Sequence, residues 1–141
     1  MIDHTLLLIK PDAIRKNFRD EIIKEVMGIG LQTRTRNEIH LTIYQAQQLY
    51  KLHMTENFFD QLISFMTSGP SEVLILTGED AVRRVNELCG HNNPKMAKPG
   101  TLRHTYGTGK SENAVHSSSS HEDFCFEYSL LIGGVYLPSS P

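Results

Sequence analysis

The sequence predicts a single α+β domain, and three observations carry that prediction. Thr5-Leu6-Leu7-Leu8-Ile9 and Val73-Leu74-Ile75-Leu76 are short apolar runs closed by turn residues, the length of buried strands. Apolar residues recur at helical spacing between and after them. The 141 residues suit one core, and 39% hydrophobic with 21% charged residues is the balance of a globular chain.

The first run stops at Lys10-Pro11-Asp12 and reads as a central strand. Ile22, Ile23, Val26 and Met27 predict a helix, with Asn17 and Asp20 as its start signal and Gly28 and Gly30 as its end. Residues 31–42 alternate and predict a strand with one wet face, Leu31, Thr33, Thr35, Ile39 and Leu41 sharing the other. Thr42-Ile43-Tyr44-Gln45 reads as a capping box before a helix bearing Ala46, Leu49, Tyr50 and His53. Phe59, Leu62, Ile63 and Met66 mark another helix, ending before Ser68-Gly69-Pro70. A strand over 71–77 follows, then a turn at Gly78-Glu79-Asp80 and a helix with Val82, Val85, Leu88 and Cys89 closed by Gly90. Residues 90–110 lack periodicity and predict a long functional loop. A brief strand at Ala114-Val115 and a last helix near 122–130, capped by Ser119 or Ser120, complete the order. The domain spans 1–132, and 133–141 reads as a loose tail.

A formal charge of −2 offers no general attraction for nucleic acid or anionic membrane, so a bound anion needs a local donor cluster. Arg34 and Arg36 give the alternating strand one basic face, but the strand lacks the aromatics of a nucleic-acid reader. Cys89 and Cys125 form neither a CxxC motif nor a disulfide framework. No signal peptide or membrane-length apolar run is evident, which makes a cytoplasmic setting the default expectation. Gly107-Thr108-Gly109-Lys110-Ser111 imitates the end of a P-loop, but His104 stands where that motif requires glycine and no helical pattern follows.

Groups suited to a phosphate ester are scattered: Lys10 at a strand end, Arg103 in the long loop, His116 after Asn113, and Glu127 eleven residues further on. Singly each reads as an ordinary polar residue. Tyr50 shares a stripe with Ala46 and Leu49 and suits a core as well as a site, and only one of Phe58 and Phe59 need face inward. Ser117 to Ser120 read equally as a polar loop, and the other six histidines as surface residues.

Taken in order, these segments resemble the nucleoside diphosphate kinases. Lys10-Pro11-Asp12, Ser68-Gly69-Pro70, Asn93-Pro94, Lys98-Pro99-Gly100-Thr101-Leu102-Arg103 and Asn113-x-x-His116-Ser117-Ser118 fall at the family's spacing from about Thr5 to Leu131, without insertions or deletions. The resemblance implies a ferredoxin-like fold, a four-stranded antiparallel sheet flanked by helices. It implies ping-pong transfer of the γ-phosphate from a nucleoside triphosphate to a nucleoside diphosphate through a phosphohistidine at His116, whose other ring nitrogen Glu127 holds. Lys10, Asn92, Arg103, Asn113 and Ser118 are then expected around the sugar and phosphates, Tyr50 near the transferred phosphate, and Phe58 against the base. Mg²⁺ is expected to arrive on the nucleotide phosphates, and the protein to assemble as a homo-oligomer built from dimers.

Some residues depart from the family pattern. A phosphate-contacting arginine falls on Asn86, a threonine on Asn92, and the glycine after the nucleophile on Ser117. Losing one charge-assisted bond costs roughly 1–3 kcal/mol, or about ten- to a hundredfold in rate if felt in the transition state. Arg83, one helical turn before Asn86, is the nearest replacement cation. Tyr106-Gly107-Thr108 and Asn113-Ala114-Val115-His116 look like the family's divergent, cilium- and axoneme-associated branch, some of whose members are weakly active scaffolds.

Overall fold

The computed structural model describes residues 2–134 and Tyr136. Four strands, β1 (Ile2–Ile9), β2 (Gln32–Ile39), β3 (Ser71–Glu79) and β4 (Val115–Ser117), form one sheet in the order β2-β3-β1-β4. Every neighbouring pair is antiparallel. The two apolar runs seen in the sequence are the two central strands, and this explains their composition. Leu6, Leu7, Leu8 and Ile9 are all fully buried because both faces of β1 are covered.

Two cores result. On one face Leu7, Ile9, Leu74 and Leu76 pack against Ile22 and Val26 of α2 (Arg19–Gly28) and Val85 and Cys89 of α5 (Ala81–Cys89). On the other, Leu6, Leu8, Val73 and Ile75 meet Ala46 of α3 (Ile43–Leu49), Leu62 and Met66 of α4 (Phe59–Met66), and Phe124 and Leu131 of α7 (His121–Leu131). The capping box forms as read: Gln45 N donates to Thr42 Oγ1 at 3.0 Å and Thr42 N to Gln45 Oε1 at 2.9 Å. Ser120 caps α7 by accepting from Asp123 N at 3.1 Å.

The structure departs from the sequence reading in four places. A short helix α1 (Pro11–Arg15) follows β1 directly, its proline at the first turn, where no amide donor is needed. Asn17, read as part of a helix start, instead adopts a left-handed conformation (φ 62°) that turns α1 into α2. Strand β2 carries a bulge between Thr33 and Thr35, which flips the alternation midway. Leu31 therefore joins the core under α2 and α5, while Ile39 and Leu41 join the opposite one. The 90–110 segment contains a further helix, α6 (Leu102–Tyr106), capped by Thr101.

Most of the tail expected over 133–141 lies outside the described residues. Its Tyr136 is not loose: the ring packs on Phe124 at 4.9 Å and Tyr128 at 5.1 Å between centroids, and its hydroxyl is 2.9 Å from His4 Nδ1. No helix among the described residues is long and apolar enough to cross a membrane.

Candidate functional site

A cleft of about 730 Å³ opens at the end of the sheet where Lys10 leaves β1 and His116 sits on β4. Its lining joins buried polar side chains such as Lys10, Arg103 and Asn113 to exposed apolar ones such as Leu52, Phe58 and Phe126. Leu8 of β1 is the register partner of His116, so the imidazole is fixed by a central strand. Across from it, α7 carries Glu127 between Phe124 and Leu131, whose packing buries that side of the helix.

Glu127 makes two hydrogen bonds, one with each carboxylate oxygen. Oε2 lies 2.9 Å from His116 Nε2, and Oε1 accepts from Ser118 Oγ at 2.6 Å. A carboxylate only accepts, so Nε2 carries the ring proton and Nδ1 keeps a free lone pair. That is the tautomer a nucleophilic imidazole requires. The edge of Tyr50 meets the His116 ring at 5.7 Å and limits its rotation.

Lys10 is almost fully buried beside this pair. Its Nζ donates to Asn113 Oδ1 at 2.8 Å and to Ser111 O at 3.2 Å. Burial, aided by the nearby Arg103 guanidinium and opposed by Asp12, pushes the Lys10 ammonium down to about 7. Asn113 donates through Nδ2 to Asn92 O at 2.8 Å and Lys110 O at 3.1 Å, which ties two loops to Lys10. Arg103 donates to Gly90 O and Val115 O, leaving its buried Nε without a partner among the described residues.

Asp12, the last residue of the Lys10-Pro11-Asp12 motif, braces the loop before His116. Its Oδ2 accepts from Ala114 N at 3.1 Å, and burial pushes its carboxyl up. Ala114 has φ 76°, a conformation non-glycine residues enter at a cost of about 1–2 kcal/mol. Asp12 and the Lys10 N to Ala114 O bond hold it there and aim Asn113 and His116 toward the cleft. Gly107 of the P-loop imitation serves packing: a Cβ there would meet Arg103 O and Pro94 Cγ at 2.7 Å.

Lys10, Tyr50, Phe58, Asn92, Arg103, Asn113, His116 and Glu127 all line the cleft. Phe59 faces the core while Phe58 stands exposed at the mouth, in ring contact with His53. One expectation needs correction. Ser118 is buried beneath the cleft floor and spends its hydroxyl on Glu127, so it orients the carboxylate instead of facing a ligand. Tyr50 lines the cleft beside His116, with its hydroxyl 3.8 Å from Met66 Sδ in the core. Sequence reasoning passed over Lys51 and Phe126, which join across the mouth with Nζ 4.3 Å from the ring centroid. Arg83 does not replace the missing cation, being paired with Asp80 and with Glu87 at 2.8 Å. Asn86 instead accepts a 2.7 Å hydrogen bond from Ser117 Oγ.

Fold and cleft together set a carboxylate-oriented imidazole beside the buried cationic side chains of Lys10 and Arg103. The model of one family, nucleoside diphosphate kinase, matches residues 3–134. A nucleoside diphosphate kinase of Persephonella marina is 44% identical over 121 residues, 86% of each chain. One of Nitratidesulfovibrio vulgaris is 39% identical over 135 residues, covering 96% of this chain and 97% of that protein. Among solved structures, the enzyme of Encephalitozoon cuniculi superposes with a TM-score of 0.92 at 30% identity, over 98% of this chain and 94% of that one. A halophilic nucleoside diphosphate kinase from Halobacterium salinarum, solved in complex with CDP, gives 0.86 at 32% identity over 92% and 87%. The chain belongs to the nucleoside diphosphate kinase family, and its four-stranded antiparallel sheet is that family's ferredoxin-like fold.

Proposed function

We propose that the chain moves the γ-phosphate of a nucleoside triphosphate onto His116 Nδ1 and from there onto a nucleoside diphosphate. The phosphotransferase activity is that of its family; the residue assignments are our reading of the cleft. The observation that carries it is the 2.9 Å contact between His116 Nε2 and Glu127, which leaves Nδ1 as the free nitrogen. Nδ1 bonds to the γ-phosphorus while the bond to the bridging oxygen breaks, and the electron pair leaves with the diphosphate. The ring becomes cationic, its proton stays on Nε2 against Glu127, and a second diphosphate reverses the step. Lys10, Arg103, Asn113 and Asn92 surround the phosphates and sugar, where electrostatic stabilisation is the main contribution a protein makes. Phe58 stacks on the base, which suits any base because each has a π-face. Ser118 and Tyr50 set the positions of Glu127 and His116.

Among the described residues no group of three or more His, Cys, Asp or Glu is placed to hold a metal ion. We propose that Mg²⁺ would arrive on the nucleotide phosphates, where it would neutralise charge on the leaving group. We propose a homo-oligomer built from dimers, supported by β2 at the sheet's edge, with one pairing edge unused among the described residues. A domain over 1–132 with a tail over 133–141, and a cytoplasmic or ciliary location, belong to the same proposal. Arg36 on β2 is ion-paired with Glu72 at 2.7 Å, which weakens the case for a nucleic-acid face. Incubation with γ-labelled ATP and Mg²⁺ should give an acid-labile, alkali-stable label, absent in His116→Ala. Equal labelling of that variant would refute the assignment.

A further inference from the structure

Two residues that depart from the pattern of the family the sequence resembles meet in space. Ser117 follows His116 on β4, Asn86 lies on α5, and the Ser117 hydroxyl donates to Asn86 Oδ1 at 2.7 Å. Both residues line the cleft. A hydroxyl carries one proton, and here it goes to Asn86. Fixing the carbonyl end of an amide fixes the other end as well. Asn86 Nδ2, with two protons and no partner among the described residues, is left as a free donor on a half-buried side chain at the cleft wall. Arg83, the neighbouring cation, is committed to Asp80 and Glu87 on the helix exterior.

We propose that Ser117 and Asn86 act as one unit, in which Ser117 positions the amide and Asn86 Nδ2 donates a hydrogen bond to a phosphate oxygen of the bound nucleotide. The inference rests on the reading of the cleft as a nucleotide site. It assigns Asn86 a binding role and Ser117 a positioning role. An oriented neutral donor is weaker than a guanidinium but loses little freedom on binding, because the hydroxyl already holds it in place.

The test is titration of the full chain and its variants with ADP and with adenosine. Ser117→Ala and Asn86→Ala should each weaken ADP by about three- to tenfold, the range of one neutral hydrogen bond. The double variant should bind ADP no worse than Asn86→Ala alone, because the serine acts through the amide. Ser117→Thr, which keeps the hydroxyl, should restore affinity. Asn86→Asp, which still accepts from Ser117 but presents a carboxylate, should weaken ADP more than Asn86→Ala. Adenosine, lacking phosphate, should bind all variants alike, which a general distortion of the cleft would not allow. The proposal is overturned if Asn86→Ala binds ADP like the wild type. It is overturned equally if the two single effects multiply, or if adenosine affinity falls in step. A wild-type chain that fails to bind ADP overturns the nucleotide reading together with this one. Labelling at His116 with flat ADP affinities across the variants overturns this one alone.

Discussion

Replacing Glu127 by glutamine keeps shape and removes charge, and the structure sets the size of the effect. Each carboxylate oxygen has one partner, His116 Nε2 at 2.9 Å and Ser118 Oγ at 2.6 Å. In Glu127→Gln the amide oxygen still accepts from Nε2–H, while the amide nitrogen faces Ser118, whose hydroxyl rotates to accept. Both contacts survive as neutral bonds, so the resting site keeps its geometry. The loss appears when phosphate reaches Nδ1 and the ring turns cationic, because the countercharge is gone. A charge-assisted bond exceeds a neutral one by roughly 1–2 kcal/mol, and a part-buried site amplifies this, giving about 1–3 kcal/mol. At about 1.4 kcal/mol per decade, phosphohistidine should form ten- to a hundredfold more slowly. Single-turnover mixing with γ-labelled ATP measures that rate directly, and triphosphate affinity should change by less than about threefold, since the loss arises in the transition state. A Glu127→Gln rate within about threefold of wild type, with phosphohistidine still formed, would refute the reasoning.

Further outcomes follow from the same geometry. Lys10 has a folded value near 7, below its unfolded one, so the unfolded chain binds more protons between them and stability rises with pH across that window. Lys10→Met should therefore melt higher than wild type near pH 7, with the difference shrinking toward pH 10, while phosphotransfer is lost; a pH-independent difference would contradict the burial argument. Ala114→Gly removes a buried methyl but also relieves a left-handed alanine, so urea denaturation should find it within about 0.5 kcal/mol of wild type. Ala13→Gly, equally buried but inside α1, should cost about 1–2 kcal/mol, and equal costs at the two sites would show that Ala114 is not strained. Phe58→Ala should raise KM for nucleotides by about five- to a hundredfold, the worth of one base stack, and raise it similarly for every base. A change confined to kcat would remove Phe58 from the base contact.

What the sequence revealed was whatever local pattern or family spacing encodes. The central strands were legible because β1 and β3 are buried on both faces and need unbroken apolar runs. The capping box was legible because its two partners lie three residues apart. The bulge at Thr33/Thr35 was not, since an extra residue in an exposed edge strand leaves no trace in its polar composition. Helices α1 and α6 have five residues each, too few to show a period. In the site, His116 and Glu127 were named through the family resemblance, in which they stand eleven residues apart. Asp12 holding Ala114, Ser118 facing Glu127, and Ser117 meeting Asn86 are contacts between distant segments or buried orientations, which only the folded chain reveals.

The placement of Glu127 between Phe124 and Leu131 makes the hydrophobic core a measuring instrument for the chemistry. Leu8 is the register partner of His116 and also lies in the core cluster with Phe124 and Leu131. One strand thus carries the imidazole on its neighbour and supports the helix that brings the carboxylate. A core exchange that thickens the layer under α7 by a few tenths of an ångström would leave a well-folded protein with the imidazole and its orienting carboxylate out of reach. Phe124 and Leu131 thus set the His116–Glu127 distance although neither side chain lines the cleft.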